Sequence, residues 1–175
     1  MVDTPATDPL IKGHVTQQHR RNCKAACYEC MLRYGNRQYH GLLDWRLGLA
    51  ALRLFVDPAW AAGSDGNWTS APELEDWLAD ARDIAADLVS LSPDVFTLES
   101  VGQLQLPAVV RRRARERYVL VHPLWAEATT LESLGAEFDG TTWLIDTFQA
   151  SRRPQRAIDL ASSGRLARGP VDRIA

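Results

Sequence analysis

The sequence predicts a mixed α/β fold: a helical, metal-bearing N-terminal half packed on a small, mostly parallel β-sheet with crossover helices. Three observations lead there. The three cysteines fall together at Cys23, Cys27 and Cys30. From about Gln38 to Leu91 apolar residues recur at helical spacing. Past Ser92 the apolar runs become short and β-branched, the signature of strands. With 175 residues, 46% of them apolar, the chain can bury enough surface for one core.

In chain order, residues 1–22 read as a loose arm, because Pro5 and Pro9 stand among Thr and Asp. Residues 23–160 read as a single domain and 161–175 as a flexible basic tail. From about Gln38 to Val56, Leu43, Leu47, Ala50 and Leu54 form one stripe, widened by Leu42, Leu49 and Val56. This predicts a largely buried helix ended by Asp57-Pro58. Ala61 to Thr69, with Gly63 and Gly66, is a loop. Pro72 to Leu91 is the clearest helix: Ser70 caps it, Glu73 completes a capping box, and Leu74, Trp77, Leu78, Ala81, Ile84, Ala85, Leu88 and Leu91 keep a 3.6-residue period. Val95 to Leu98 and Leu106 to Val110 are weak strand candidates. Arg117 to His122 and Thr142 to Phe148 are strong ones, of the kind found in a sheet covered on both faces. Glu127 to Ala136 between them is long enough for a crossover helix, which favours a parallel pair.

Lys+Arg 20 against Asp+Glu 22 gives a net charge of −2, so the chain as a whole is not a basic nucleic-acid binder. The charge is segregated, however. Ile11 to His40 carries six basic residues and one acid, Glu29, whereas Gly63 to Ser100 carries nine acids and Arg82 alone. Arg111, Arg112, Arg113, Arg115 and Arg117 form a further basic block. Local basic faces can therefore meet phosphates, or simply be solvated. No apolar run approaches the roughly 20 residues of a membrane span, and Met1 to Leu10 lacks the regions of a signal peptide. The expected location is the cytoplasm, with no membrane contact.

Three cysteines are too few for a disulfide scaffold, and in a cytosolic chain such a cluster points to metal. On a straight helix the outer two thiols would lie about 10 Å apart. Thiolates on one zinc must approach to about 4 Å, so the chain must bend, most simply through a knuckle at Cys27-Tyr-Glu-Cys30. The alternative is three buried thiols on a core stripe. The fourth ligand stays open: His19, His40, a water or none. No general base is placed to use a metal-bound water, which favours a structural ion.

Cys23-Lys-Ala-Ala-Cys27-Tyr-Glu-Cys30-Met-Leu-Arg-Tyr34-Gly-Asn36-Arg-Gln-Tyr-His40-Gly-Leu-Leu43-Asp44 resembles the signature of the MrfA-like zinc-binding domain. That domain stands at the C-terminus of many DEAD/DEAH-box superfamily 2 helicases and in helicase-associated subunits of bacterial phage-defence systems of the DISARM type. A second stretch is similar to the family's closing strands: Val119-Leu-Val-His122-Pro-Leu-Trp125, then Ile145-Asp146-Thr-Phe148, then Arg152-Arg153-Pro154. The sequence departs from the family pattern at Arg21, near the place of a fourth cysteine, and at Arg37, which separates Asn36 from Gln38.

The resemblance implies a zinc-binding accessory domain, not an enzyme, whose partner is a DEAD/DEAH-box helicase or a defence-complex subunit and which acts in DNA repair or phage defence. Cys23, Cys27 and Cys30 would hold Zn²⁺. Arg33, Asn36, Arg37 and Gln38, just after the knuckle, are the candidates for backbone contacts to DNA or RNA, and Tyr34 and Tyr39 for base stacking. No Gly-x-x-x-x-Gly-Lys-Ser/Thr loop occurs in the 175 residues. One rival is a protein-interaction subunit without nucleic-acid contact. Another is a metal-dependent nuclease using Asp44 or Asp146, acids set inside apolar elements. His122 is expected to be a strand-end histidine satisfied by hydrogen bonds.

Overall fold

The computed structural model describes residues 15–114, 116–125, 130 and 141–162. Where the sequence reads one domain over 23–160, the described chain groups into two compact units. One runs to Gly63 and includes Asn67–Glu75; the other holds Ser64–Gly66 and the residues from Asp76 onward. The mixed α/β class stands.

The first unit is helical. Gln17–Asn22 (α1) is a short helix whose N-cap, Thr16, accepts the His19 N–H on its hydroxyl. This corrects the loose arm as far as residues 16–22 are concerned. Arg20 is the reason: it is buried and donates to the Pro72 carbonyl at 3.1 Å and to Glu75. Residues 1–14 lie outside the described part. Tyr34–Leu42 is a 3₁₀ segment with a kink at Asn36. The helix expected from Gln38 begins only at Trp45 and runs Trp45–Val56 (α2), because Asp44 caps it by accepting the Leu47 N–H at 3.0 Å. Nor is it largely buried: Leu49 and Ala50 are, but Leu52, Phe55 and Val56 are exposed.

The stretch from Pro72 supplies a further correction. The acidic helix starts at Trp77, as Trp77–Ser90 (α3), and the Ser70/Glu73 capping box does not form. Glu73 is instead buried, its carboxylate paired with the Arg53 guanidinium. Ala71 and Leu74 are buried beside it in sequence, so a turn, not a helical face, seats residues 71–75. Gly63 opens the neighbouring loop at φ +85°, where a Cβ would lie 2.8 Å from the Trp68 ring.

The second unit is a four-stranded sheet, among the described residues, in the order β1-β2-β3-β4: Phe96–Val101, Leu106–Arg111, Arg117–Val121 and Thr142–Asp146. The expected mostly parallel sheet is mostly antiparallel. β1 pairs with β2 and β2 with β3 antiparallel; only β3 and β4 run parallel, from Arg117↔Thr142 to Val121↔Asp146. Link length decides this. Gly102–Gln105 and 112–116 are far too short for a crossover, which takes a dozen residues or more, whereas 122–141 is long enough. The crossover helix expected at Glu127–Ala136 lies, except for Thr130, outside the described residues.

β3 is buried along nearly its whole length, as expected for a strand covered on both faces, and so is β2, read only as a weak candidate; β4, expected to be covered likewise, is half-exposed at Trp143, Leu144 and Asp146. The core side chains Val109, Tyr118 and Leu120 of β2 and β3 pack with Ile145, with Ala85 and Leu88 of α3, and with Ala150, Ala157 and Ile158. The last three come from Thr147–Arg152 (α4) and Pro154–Ser162 (α5). The tail beyond Ser162 is outside the described residues. No helix among those described is long and apolar enough to cross a membrane.

Candidate metal centre

His19, Cys23, Cys27 and Cys30 bring one imidazole nitrogen and three sulfurs within 4.8 Å of one another. All four belong to the first unit. The sulfurs of Cys23 and Cys30 are 3.8 Å apart, those of Cys27 and Cys30 are 3.6 Å apart, and His19 Nε2 is 3.6 Å from the Cys27 sulfur. The chain makes the bend the spacing requires. α1 ends at Cys23, whose N–H donates to the His19 carbonyl at 2.8 Å, so the two residues are joined by the last helical hydrogen bond. A turn then gathers three N–H groups, those of Cys30, Met31 and Leu32, onto the Cys27 carbonyl. The Cys27 N–H points at the Cys30 sulfur, 3.2 Å away.

Trp45 supports the cluster from α2. Its indole N–H donates to the Cys23 carbonyl at 3.0 Å, its backbone N–H donates to the Ala25 carbonyl, and its ring lies against His19, centroids 5.5 Å apart. Cys23, Cys30, Trp45 and Leu49 form the small core beneath, with Val15, Cys27 and Met31 packed on it. Sequence reasoning missed Trp45 and Arg20 altogether. The signal for His19 was present: His19 and Cys23 are four apart, one helical turn.

The thiols differ in character. Burial, with hydrogen bonds from the two neighbouring thiols, pushes the Cys23 thiol up to about 12. Burial acts upward on Cys27 as well, but the His19 ring and the backbone of Glu29 and Cys30 outweigh it and bring that thiol down to about 7. Three sulfurs and an imidazole at this spacing are compatible with a metal site.

His40, the other histidine considered, lies outside this cluster. Its Nε2 is 3.0 Å from both the Arg33 carbonyl and Asn36 Oδ1. Asn36 also accepts the Arg33 N–H at 2.8 Å and donates to the Met31 carbonyl at 3.0 Å. Arg33 donates through Nη1 to the Tyr28 and Leu32 carbonyls. Of the four candidates for nucleic-acid contact, Arg33 and Asn36 are thus engaged in building the 3₁₀ segment. Arg37 and Gln38 lie exposed on it, Arg37 with its guanidinium 5.5 Å over the Tyr34 ring.

Asp44 and Asp146 stand in different units and each caps a helix, Asp146 by accepting the Gln149 N–H at 2.7 Å. His122 ends β3 buried between Trp77 and Trp125, with ring centroids at 5.7 and 6.3 Å, and its Nδ1 accepts the Leu124 N–H, as expected for a satisfied strand-end histidine. Burial pulls its pKa down from 6.5 to about 4. Between those values the unfolded chain takes up a proton that the folded ring refuses, so this contribution is complete above pH 6.5 and is lost as pH falls toward 4. Burial raises Asp146, which gives a dependence of opposite sign, favouring lower pH. Urea unfolding across this range is expected to show stability falling with acid, and H122F to flatten the fall. An unchanged slope in H122F would assign the acid sensitivity elsewhere.

No protein-family model, curated protein or solved structure matches this chain.

Proposed function

We propose that this chain is a zinc-binding accessory module, not an enzyme, that serves a DEAD/DEAH-box helicase or a helicase-containing defence complex in the cytoplasm. It supports nucleic-acid binding or assembly of that complex, in DNA repair or phage defence. The observation that carries the reading is the convergence of His19, Cys23, Cys27 and Cys30. A tetrahedral zinc with Zn–S about 2.3 Å and Zn–N about 2.0–2.1 Å sets sulfurs about 3.8 Å apart and sulfur about 3.6 Å from nitrogen. The separations of 3.6 and 3.8 Å between sulfurs, and of 3.6 Å from sulfur to His19, suit that ion.

Four protein donors make a closed, structural type of site, in which the ion holds chain segments together. His19 takes the place of the fourth thiolate that the resembled family supplies near Arg21. Protein expressed without added metal is expected to contain about one zinc per chain by elemental analysis, and a Cys27→Ser/Cys30→Ser double variant essentially none. Wild-type protein free of zinc would remove the basis of the proposal.

Complex assembly without nucleic-acid contact is the second reading, and α2 favours it. Gly48, Ala51, Leu52 and Phe55 recur at helical spacing and are exposed, Phe55 by 87%.

A further inference from the structure

We infer that the 3₁₀ segment after the knuckle is a stacking platform for single-stranded nucleic acid, DNA and RNA alike. The inference rests on the nucleic-acid reading above and names its ligand and the residues that take it. Across the kink at Asn36 the Arg37 guanidinium lies 5.5 Å over the Tyr34 ring, and His40 follows Arg37 three residues on, where residues of a 3₁₀ turn eclipse, so the three side chains make one ridge. Tyr28 extends it: its ring meets His40 edge-on, centroids 5.9 Å apart. Tyr34 is 82% exposed and Tyr28 70%, far more than a tyrosine whose ring serves packing. Tyr39, 53% exposed, stands beside the ridge.

The framework under these rings is fixed. Arg33 donates to the Tyr28 and Leu32 carbonyls, Asn36 donates to the Met31 carbonyl, and His40 Nε2 meets the Arg33 carbonyl and Asn36 Oδ1, which pins the segment to the knuckle before it. Charge complements phosphate. Arg21, Lys24, Arg33 and Arg37 are set against a single acid, Glu29, between Thr16 and Leu43. Arg37, already over Tyr34, adds a planar cation to the row. Every base offers a π-face and every nucleotide a phosphate, so neither the base sequence nor the 2′-hydroxyl is read. A paired duplex keeps its bases stacked on one another and offers the ridge only its backbone.

Fluorescence anisotropy on the full chain, with zinc content measured on the same preparation, tests this. The probes are labelled oligothymidylate and oligouridylate of roughly 12 nucleotides and a duplex of the same length. The two single strands are expected to bind within about threefold of each other and tighter than the duplex. Y34A is expected to weaken both by about fivefold or more, and Y34F to stay within about twofold of wild type, since stacking survives. R37Q is expected to reduce the salt slope by about 0.7. Absent single-strand binding, equal or tighter duplex binding, or an unaffected Y34A each overturn the inference. Protein with full zinc but no single-strand binding overturns it and leaves the metal reading standing. Protein without zinc that still shows the Tyr34 effect does the reverse.

Discussion

Under the zinc reading proposed above, a strong chelator is expected to unfold residues 16–44 and to leave the sheet unit protected in hydrogen exchange. The apolar material in the first unit's cluster is slight: Cys23, Cys30, Trp45 and Leu49 are buried, and three partly buried side chains pack on them. Without an ion, three thiols would share that pocket, with Cys23 pushed up to about 12 by burial and its thiol neighbours. Zinc binding in small sites contributes on the order of 10 kcal/mol to folding, more than so small a core can supply. The histidines separate the proposed ligand set from its rivals. H19A is expected to weaken zinc more than about 100-fold in chelator competition, since loss of a mere supporting partner already costs 10- to 100-fold. H40A removes the hydrogen bonding of Nε2 to the Arg33 carbonyl and Asn36, costs about 0.5–1.5 kcal/mol because both acceptors stay within reach of water, and keeps the metal. The opposite pattern, metal lost in H40A and kept in H19A, would refute the assignment.

The need for a bend at the cysteines was legible in their spacing, because helical rise and metal–sulfur distance are incompatible for residues 23 and 30. The fourth donor was legible only as an open choice among His19, one helical turn before Cys23, His40, a water or none. Choosing His19 over His40 requires knowing that the chain before Cys23 is helical and turned inward, and this depends on Arg20 reaching Pro72 and Glu75, more than fifty residues away. Local sequence carries no trace of that pairing. Trp45 escaped notice for the same reason: it reads as one more apolar residue on a helix until its N–H is seen to meet the Cys23 carbonyl.

In the sheet unit the β-branched runs mark the two strong strands, and the length of chain between them favours their parallel pairing. The antiparallel remainder was available in the link lengths, since four or five residues cannot carry a crossover. The acidic helix shows the opposite case, a strong local signal overridden. Ser70 and Glu73 have capping-box spacing, yet the carboxylate is worth more opposite Arg53 than at a helix end, and the helix starts four residues later than Glu73.

That pairing sets up the second large effect. The Glu73 side chain is fully buried and that of Arg53 nearly so, with Arg53 also lying over the Trp60 ring. Removing one partner of a buried pair leaves an uncompensated charge, which costs about 3–5 kcal/mol. Arg53→Met is expected to fall in that range, because the carboxylate it strands has no exposure to solvent. Glu73→Leu should cost less, since the Arg53 guanidinium retains Trp60 and a partial path to water. In the double variant Arg53→Met/Glu73→Leu no charge is stranded and similar volume is kept, so stability should return to near wild type, as apolar replacement of buried pairs commonly allows. The coupling energy from the four denaturant curves is the deciding quantity. Losses that merely add would mean the two side chains act independently. Strong coupling would show that this ion pair helps hold residues 67–75 onto the helical unit.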